Sequence, residues 1–256
     1  MKRILIAFGD SHTAGAEIEE QYQASCYNKA YPVHIARHYG LAYENFSVSG
    51  GSNDWIIRQF MIRIHKAIIK NEPVLVLCNF CEPSRTYVKL PGKILHCTPS
   101  LLLQDENTIE KLRVDEEFLP HYENYLQTND DKFLNFKSLS QILIIQSICE
   151  QHKIPYVFHT STHWYEGNWD LINKRNFFGH HNTETKIYDR MRSNNTYASY
   201  SYWGNATHDE NWKKLIKQER WSKHLPEEYH KFWAETLINF IDEQGILDIA
   251  PESTIK

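Results

Sequence analysis

Four short, mostly apolar runs constrain the fold of this chain more than any other feature of its sequence. Each run is too short for a typical helix, and small or polar residues follow each of them. Runs of this length, bounded in this way, predict buried β-strands. The four runs cover residues 4–8, 43–48, 74–77 and 155–158.

The segments between these runs have the features of helices. Residues 32–39 have a proline near the start and a glycine just past the end. The apolar residues of 56–68 recur at helical spacing, with Asp54 as the candidate N-cap, and 138–150 and 232–241 are also predicted helices. Strands that alternate with helices predict a three-layer α/β sandwich around a parallel sheet of about four to five strands.

Length and composition fit a single globular domain. The chain has 256 residues, of which 41% are hydrophobic and 23% are charged, and its net charge is −4. At this charge we expect no attraction to nucleic acid. No apolar run reaches the roughly 18 residues that span a bilayer, and the N-terminus lacks a signal-peptide pattern. We therefore expect a cytoplasmic or virion-associated protein without a membrane partner; the sequence leaves its oligomeric state open.

Two long stretches interrupt the alternation of strands and helices. We interpret them as insertions, at about 83–136 and about 162–222, within one domain that covers 1–256. Long segments of this kind form binding loops or lids, or they add helices that cover the sheet edge. The second stretch is rich in Trp and Tyr, which either stack on a sugar ring or pack the insertion onto the sheet.

The cysteines favour free thiols over a metal site. There are five, an odd number, and only Cys78 and Cys81 form a C-x-x-C pair. A zinc site needs a second pair of ligands at suitable spacing, and none is evident. The sequence predicts neither a metal nor an organic cofactor.

A serine follows the first strand at a position suited to chemistry. Ser11 lies in the turn 9–15, and the carboxyl ends of parallel strands meet at one edge of a sheet, where ligands bind. A nucleophilic serine needs an adjacent base and backbone N–H groups that face the developing oxyanion. A Gly-Asp-Ser tripeptide is also a common turn sequence, so by itself it predicts only a turn.

Three blocks of sequence, taken together, resemble the SGNH hydrolases, also called GDSL-like esterases. The first is 4–13, and the second is 45–50, which fits the family pattern Asn-x-Ser/Ala-x-x-Gly. In the third, the spacing from His224 to His230 and to Ala234 matches the family. The residues after the second block are similar to those of bacteriophage members. The resemblance implies a flavodoxin-like fold and hydrolysis of a carboxylic ester.

The resemblance also implies roles for individual residues. Ser11 would be the nucleophile, and His224 would be the general base and then the acid that protonates the leaving group. The backbone N–H groups of Ser11 and Gly50, with the side-chain amide of Asn79, would donate hydrogen bonds to the oxyanion.

The chain departs from the family at the third member of the catalytic triad. The family has an Asp three residues before the catalytic His, and Trp221 stands there. Asp209, Glu210 and Glu219 are the candidate replacements; Ser222 or a backbone carbonyl is the alternative. A third alternative is an impaired enzyme, because loss of the triad Asp lowers turnover by roughly four orders of magnitude in a serine protease.

Four further residues are candidate substrate contacts near the same edge of the sheet. They are Asp10, His12, Asn53 and Arg85, and Arg85 is expected to pair either with a substrate anion or with Asp10. The pattern Asp10-x-His12 also raises the alternative of a metal-dependent phosphoesterase. We find no further ligands at a spacing that supports it.

These observations lead to two hypotheses about function. The first is a serine esterase that acts through an acyl-Ser11 intermediate on a small-molecule or carbohydrate ester, for example an O-acetylated sugar. The second is a catalytically impaired binding or structural module with the same fold, for example in a virus particle.

Overall fold

A parallel sheet of four strands forms the centre of the molecule. In the computed structural model its strand order is β2-β1-β3-β6, and a separate antiparallel hairpin consists of β4 and β5. The strands are β1 (Ile4–Phe8), β2 (Ala42–Asn45), β3 (Val74–Phe80), β4 (Thr86–Leu90), β5 (Lys93–Cys97) and β6 (Tyr156–Thr160). The helices are α1 (Ser11–Ala14), α2 (Tyr31–His38), α3 (Asn53–Ile69), α4 (Leu119–Thr128), α5 (Asp131–Gln151) and α6 (Glu227–Glu243). The structure describes residues 2–16, 18, 25–90, 93–98, 119–160, 165, 168–179 and 227–248.

Strands β1, β3 and β6 are buried almost completely, which explains why they are apolar runs rather than alternating ones, whereas β2, at one edge of the sheet, is only partly buried. In β1, Ile6 and Phe8 belong to the core that α3 and α5 cover. Leu5 and Ala7 belong to the opposite core, which α2 and α6 cover. The predicted three-layer sandwich with a parallel sheet of four strands is therefore confirmed.

The register brings the ends of the strands to one edge. Ala7 is paired with Asn45 of β2 and with Leu77 of β3. On the other side of β3, Asn79 is paired with His159 of β6. The segments that follow β1, β2 and β3 therefore begin at the same edge of the sheet.

Three predicted strand ends were wrong. Strand β3 continues through Cys78 and Asn79, and β6 continues through His159, so these polar residues lie inside the sheet. They tolerate burial because Asn79 and His159 have side-chain hydrogen bonds there. Strand β2 ends at Asn45, three residues earlier than predicted, because the side chain of Asn45 binds the backbone N–H of Ser47 and turns the chain.

Helix α3 begins with a different cap from the one predicted. The hydroxyl of Ser52 accepts a hydrogen bond from the N–H of Trp55 at 3.2 Å. Asp54 lies in the first turn, and its carboxylate binds Lys137 at 2.7 Å and Gln141 at 2.6 Å. Asp54 therefore links α3 to α5 and does not cap α3.

Two elements within 83–136, the first predicted insertion, were not identified in the sequence. The hairpin β4–β5 and helix α4 lie within 83–136, and α5 begins at Asp131, seven residues before the predicted start at 138. Asp130 caps α5 by accepting from the N–H of Phe133 at 2.7 Å. The hairpin packs on α3 through edge-to-face contacts of Trp55 with Tyr87 and His96.

The cysteines are free, as the sequence predicted, and all five are buried. Burial raises the pKa of Cys78 and of Cys81, so neither thiol ionises readily. Within the ranges given above, no helix is long and apolar enough to cross a membrane.

Replacement of Ile64 by Ala tests the core between α3 and the sheet. Ile64 is 1% exposed, whereas Ile62 on the same helix is 45% exposed. We expect Ile64→Ala to lower the free energy of unfolding by about 2–5 kcal/mol, because it leaves a cavity. The matched variant Ile62→Ala should change it by less than about 1 kcal/mol. Equal losses in urea denaturation would contradict the packing described here.

Candidate active site

The turn after β1 holds Ser11 at the first position of a one-turn helix. Asp10 caps this helix, because its Oδ1 accepts from the N–H of His12 at 3.1 Å. Gly15, with a φ of 66°, ends it. A Cβ at Gly9 would overlap the hydroxyl of Thr13, so the tight turn requires glycine. Ser11 is 6% exposed and lies at the carboxyl edge of the sheet.

A second turn, at 48–51, packs directly on the first. The N–H of Val48 donates to the carbonyl of Gly9 at 3.4 Å. A Cβ at Gly51 would lie 2.9 Å from that same carbonyl oxygen and 3.3 Å from the Cα of Asp10. Gly50 has a φ of 72°, a conformation that favours glycine. Gly51 therefore permits a close contact that a larger residue would block, and Gly50 permits the positive φ of the turn.

Each of these two turns contains a backbone N–H group without an acceptor among the described residues. Among the residues that the structure describes, the N–H groups of Ser11 and Gly50 have no hydrogen-bond acceptor. The N–H of Ser11 belongs to the first turn of a helix, where such groups lack a partner within the helix. These are the two backbone donors that the resemblance assigned to the oxyanion.

Asn45 joins the two turns from the side. Its Nδ2 donates to the carbonyl of Thr13 at 2.8 Å, and its Oδ1 accepts from the N–H of Ser47 at 2.9 Å. The asparagine of the second sequence block thus holds the chain that carries Gly50 against the helix that begins at Ser11.

Arg85 pairs with Asp10, which was one of the two alternatives for it. Its Nη1 lies 3.3 Å from Oδ2 of Asp10, a carboxylate that is fully buried. Burial by itself lowers the pKa of Arg85, but the pKa is raised overall because Asp10, together with smaller contributions from Cys81, Glu82 and Tyr165, favours the charged guanidinium. Because Asp10 is inaccessible and already paired, the structure does not support it as a substrate contact.

Asn79 does not fit the role of an oxyanion donor. Its side-chain Nδ2 donates to Oδ1 of Asp10 at 3.2 Å and to the hydroxyl of Thr13 at 2.9 Å. Both N–H bonds of the amide are therefore used, and the residue is fully buried. Asn79 instead fixes the turn that carries Ser11.

Asn53 does not face a substrate either. The residue is buried. Its Nδ2 donates to the carbonyl of Cys81 and to the hydroxyls of Ser138 and Tyr165. Its Oδ1 accepts from the N–H of Cys81. The residue therefore ties the start of α3 to the end of β3 and to α5.

A buried polar chain below the turn was missed in the sequence. The hydroxyl of Tyr31 is hydrogen bonded to Thr13 at 2.9 Å and to Nε2 of His159 at 2.8 Å. Burial lowers the pKa of His159 to about 3 and raises the pKa of Tyr31 well above its usual value. Both groups are therefore neutral over the working pH range. No local pattern in the sequence indicates this contact, because Tyr31 and His159 are 128 residues apart in the chain.

An aromatic cluster adjoins Gly50. A Cβ at Gly50 would lie 3.3 Å from the Cβ of His96 in the hairpin. The rings of Trp55 and His96 are 5.0 Å apart and nearly perpendicular. Burial lowers the pKa of His96 to about 4, so this imidazole is neutral. The hairpin of the first insertion thus supplies one wall next to the turn of the second block.

Several predicted residues lie outside the described residues. These are His224 and the candidate acids Asp209, Glu210 and Glu219. His12 lies within α1 and is buried. His230, at the start of α6, has its Nδ1 accepting from the N–H of Tyr31 at 3.2 Å, so the third sequence block leads into a helix that contacts α2.

The described part of the aromatic-rich stretch packs into the core. Tyr165, Trp169 and Phe177 belong to the core beneath α3 and α5, and Phe178 belongs to the opposite core. For these four side chains, packing rather than sugar binding is the role that the structure supports. Across the described residues, no group of three or more His, Cys, Asp or Glu side chains could hold a metal ion.

Comparisons with known proteins give likenesses to solved structures only. No protein-family profile matches the chain, and no curated protein matches it. A member of the lipolytic protein G-D-S-L family from Veillonella parvula is 13% identical, with a TM-score of 0.41 and coverage of 93% of this chain and 97% of that one. Esterase EstA from Pseudoalteromonas sp. is 9% identical, with a TM-score of 0.43 and coverage of 95% and 98%.

A third solved structure is an acetyl xylan esterase from the rumen bacterium Butyrivibrio proteoclasticus. It is 11% identical, with a TM-score of 0.45, and the match covers 97% of this chain and 65% of that one. At these identities and TM-scores, the function of this chain has to be argued from its own residues.

Replacement of Arg85 by Met tests the buried ion pair. We expect the free energy of unfolding to fall by about 3–5 kcal/mol, because the substitution leaves a buried carboxylate without its cation. The double variant Asp10→Asn with Arg85→Met should recover part of this loss. Arg37→Met, at an exposed position, should stay within about 0.5 kcal/mol of the wild type. Strictly additive losses in the double variant would show that the two groups do not interact.

Replacement of His159 by Gln tests the buried imidazole through the pH dependence of stability. Its pKa is lowered from 6.5 to about 3, so below pH 6.5 the unfolded chain binds a proton that the folded chain does not. This uptake of a proton by the unfolded chain lowers the free energy of unfolding by about 1.4 kcal/mol for each pH unit between pH 6.5 and about pH 3. We expect the variant to lose this slope between pH 6 and pH 4 in urea titrations. A slope equal to that of the wild type would contradict the burial of a neutral His159.

Proposed function

We propose that this protein is a serine hydrolase that cleaves a carboxylic ester through an acyl-Ser11 intermediate. The observation that carries the proposal is the contact between the two turns. The turn of Gly50 and Gly51 packs on the turn of Ser11, and each contributes a backbone N–H without an acceptor among the described residues. A hydroxyl beside two such donors suits acyl transfer, because the donors stabilise the negative charge of the tetrahedral intermediate.

In this mechanism His224 accepts the proton of the Ser11 hydroxyl as Oγ attacks the ester carbonyl. The carbonyl oxygen becomes an oxyanion that the N–H groups of Ser11 and Gly50 bind. Collapse of the intermediate releases the alcohol, which takes its proton from His224. Water, deprotonated by His224, then attacks the acyl-Ser11 carbonyl. A second collapse releases the acid, and His224 returns the proton to Oγ, which restores the serine hydroxyl.

The surroundings of Ser11 support a rigid rather than an adjustable site. Asp10 caps its helix, Asn79 holds both Asp10 and Thr13, and Asn45 holds the Gly50 segment against the same helix. Donors fixed before the reaction stabilise a transition state better than donors that must reorganise. The residue that orients His224 remains a proposal, with Asp209, Glu210 and Glu219 as the candidates.

For the substrate we propose a small acyl group on a carbohydrate. The cluster of Trp55, Tyr87 and His96 beside Gly50 presents neutral aromatic rings, which suit the apolar faces of a sugar. The similarity of the residues after the second block to bacteriophage members makes a virion-associated carbohydrate esterase one specific form of this proposal.

Replacement of Ser11 by Ala tests the nucleophile. We expect hydrolysis of p-nitrophenyl acetate to fall by about 10⁴-fold or more, since the acyl-enzyme can no longer form. His224→Asn should cause a loss of similar size. Ser49→Ala, which removes a hydroxyl from the neighbouring turn, is the matched control and should retain activity.

A fluorophosphonate supplies an independent readout of the same proposal. It should add one covalent label to the wild type, which peptide mass spectrometry should locate at Ser11, and it should not label Ser11→Ala. If the wild type hydrolyses the ester no faster than Ser11→Ala and takes up no label, the proposal is wrong. The impaired binding module would then be the better description.

A further inference from the structure

The outer face of α5 is apolar and exposed. Phe136 is 68% exposed; Phe133, one turn before it, and Ile144, about two turns after it, are also exposed. These side chains, with Ser140 and Ser147, form one stripe along the helix, because residues three and four apart share a helix face. We call these five residues the α5 stripe. It contains no charged residue.

The hydroxyl groups of the two serines in the α5 stripe donate hydrogen bonds within the helix and do not need a water molecule as acceptor. The hydroxyl of Ser140 donates to the carbonyl of Phe136 at 2.8 Å, and that of Ser147 donates to the carbonyl of Leu143 at 2.7 Å. Such bonds to the preceding turn satisfy the donor within the helix. The stripe can therefore be buried against another surface without leaving a hydroxyl proton unpaired.

The α5 stripe is complementary to itself about Ser140. Phe136 and Ile144 lie four residues on either side of Ser140, and Phe133 and Ser147 lie seven residues on either side. If two copies pack antiparallel with Ser140 at the crossing point, Phe133 meets the partner's Ser147. Phe136 then lies level with the partner's Ile144. Large side chains meet smaller ones, and the two serines let the helices approach closely.

The charges beside the stripe fit the same arrangement. Lys132 and Glu150 are both exposed, and they are eighteen residues apart, which is five helical turns, so they lie on the same flank. A twofold axis perpendicular to the helix reverses its direction but keeps this flank on the same side. Lys132 then lies about 3 Å along the axis from the level of the partner's Glu150, and the pair forms twice. Tyr156 and Asn173 hold the Glu150 carboxylate by donating to its Oε1 at 2.7 Å and 3.1 Å, and the proposed pair with the partner's lysine therefore uses Oε2.

We propose that the α5 stripe is the interface of a symmetric homodimer, in which two copies of α5 pack antiparallel about a twofold axis at Ser140. Such an interface is isologous, since the same patch of both copies meets itself. A single helix of 21 residues is about 30 Å long and buries less surface than a permanent dimer. The dimer is therefore reversible and depends on protein concentration.

Cysteine cross-linking of the full chain tests the position of the twofold axis. In the proposed dimer only Ser140 meets its own copy, so Ser140→Cys should form an intermolecular disulfide on oxidation. Ser147→Cys is the matched control on the same stripe. In the proposed dimer the two Ser147 positions are separated by the length of fourteen helical residues, about 21 Å along the helix axis. No disulfide can span this distance. The five native cysteines are buried and provide a low background.

Sedimentation equilibrium over a range of concentrations tests the contribution of the stripe. The wild type should shift from monomer to dimer as concentration rises, and Phe136→Asp should abolish the shift. Ile69→Asp on α3, where Ile69 is 66% exposed, changes a side chain of similar exposure outside the stripe and should leave it intact. Circular dichroism checks that both variants are folded. A wild type that stays monomeric, or cysteine variants that cross-link equally, would overturn the proposal.

Discussion

The buried carboxylate of Asp10 is the interaction on which the candidate site depends. Its Oδ1 caps the helix that begins at Ser11 and accepts from Asn79, and its Oδ2 pairs with Arg85. A buried charge is costly unless it is paired and hydrogen bonded, so these groups must stay in place for the chain to fold. The same contacts that compensate for burial of the carboxylate thus hold the serine in position, and the rigidity of the site follows from the stability of the fold.

The close approach of two glycine turns is the second constraint, and it complements the first. Asp10 fixes the turn of Ser11 by capping its helix. Gly51 allows the turn of Gly50 to pack against the turn of Ser11. Asn45 then closes the arrangement from the side, because it binds the carbonyl of Thr13. A Cβ at position 9 would overlap Thr13 within the turn of Ser11, and a Cβ at position 51 would prevent the two turns from packing this closely. The geometry of the candidate site is thus set largely by contacts of the backbone.

The sequence predicted what depends on local pattern. Apolar runs gave the four strands, and Gly9-Asp10-Ser11 correctly indicated a turn after β1. The sequence could not predict the roles of residues whose hydrogen-bond partners lie far away along the chain. Asn79 and Asn53 looked available for a substrate, but Thr13 and Tyr165 occupy their amides after folding. The cap of α3 was misassigned for a similar reason, since Ser52 and Asp54 are both good cap residues and only the contact with α5 distinguishes them.

The site and the proposed interface lie on different parts of the fold, and Asp54 connects them. The α5 stripe faces away from the sheet, whereas Ser11 and Gly50 follow strands at its carboxyl edge. Pairing along the stripe therefore leaves the turns of the site uncovered. Asp54, two residues after the cap that follows the Gly50 turn, binds Lys137 and Gln141 of α5. Packing that restrains α5 therefore also restrains the start of α3, because Asp54 links the two helices. The turn that contains Gly50 directly precedes this part of α3.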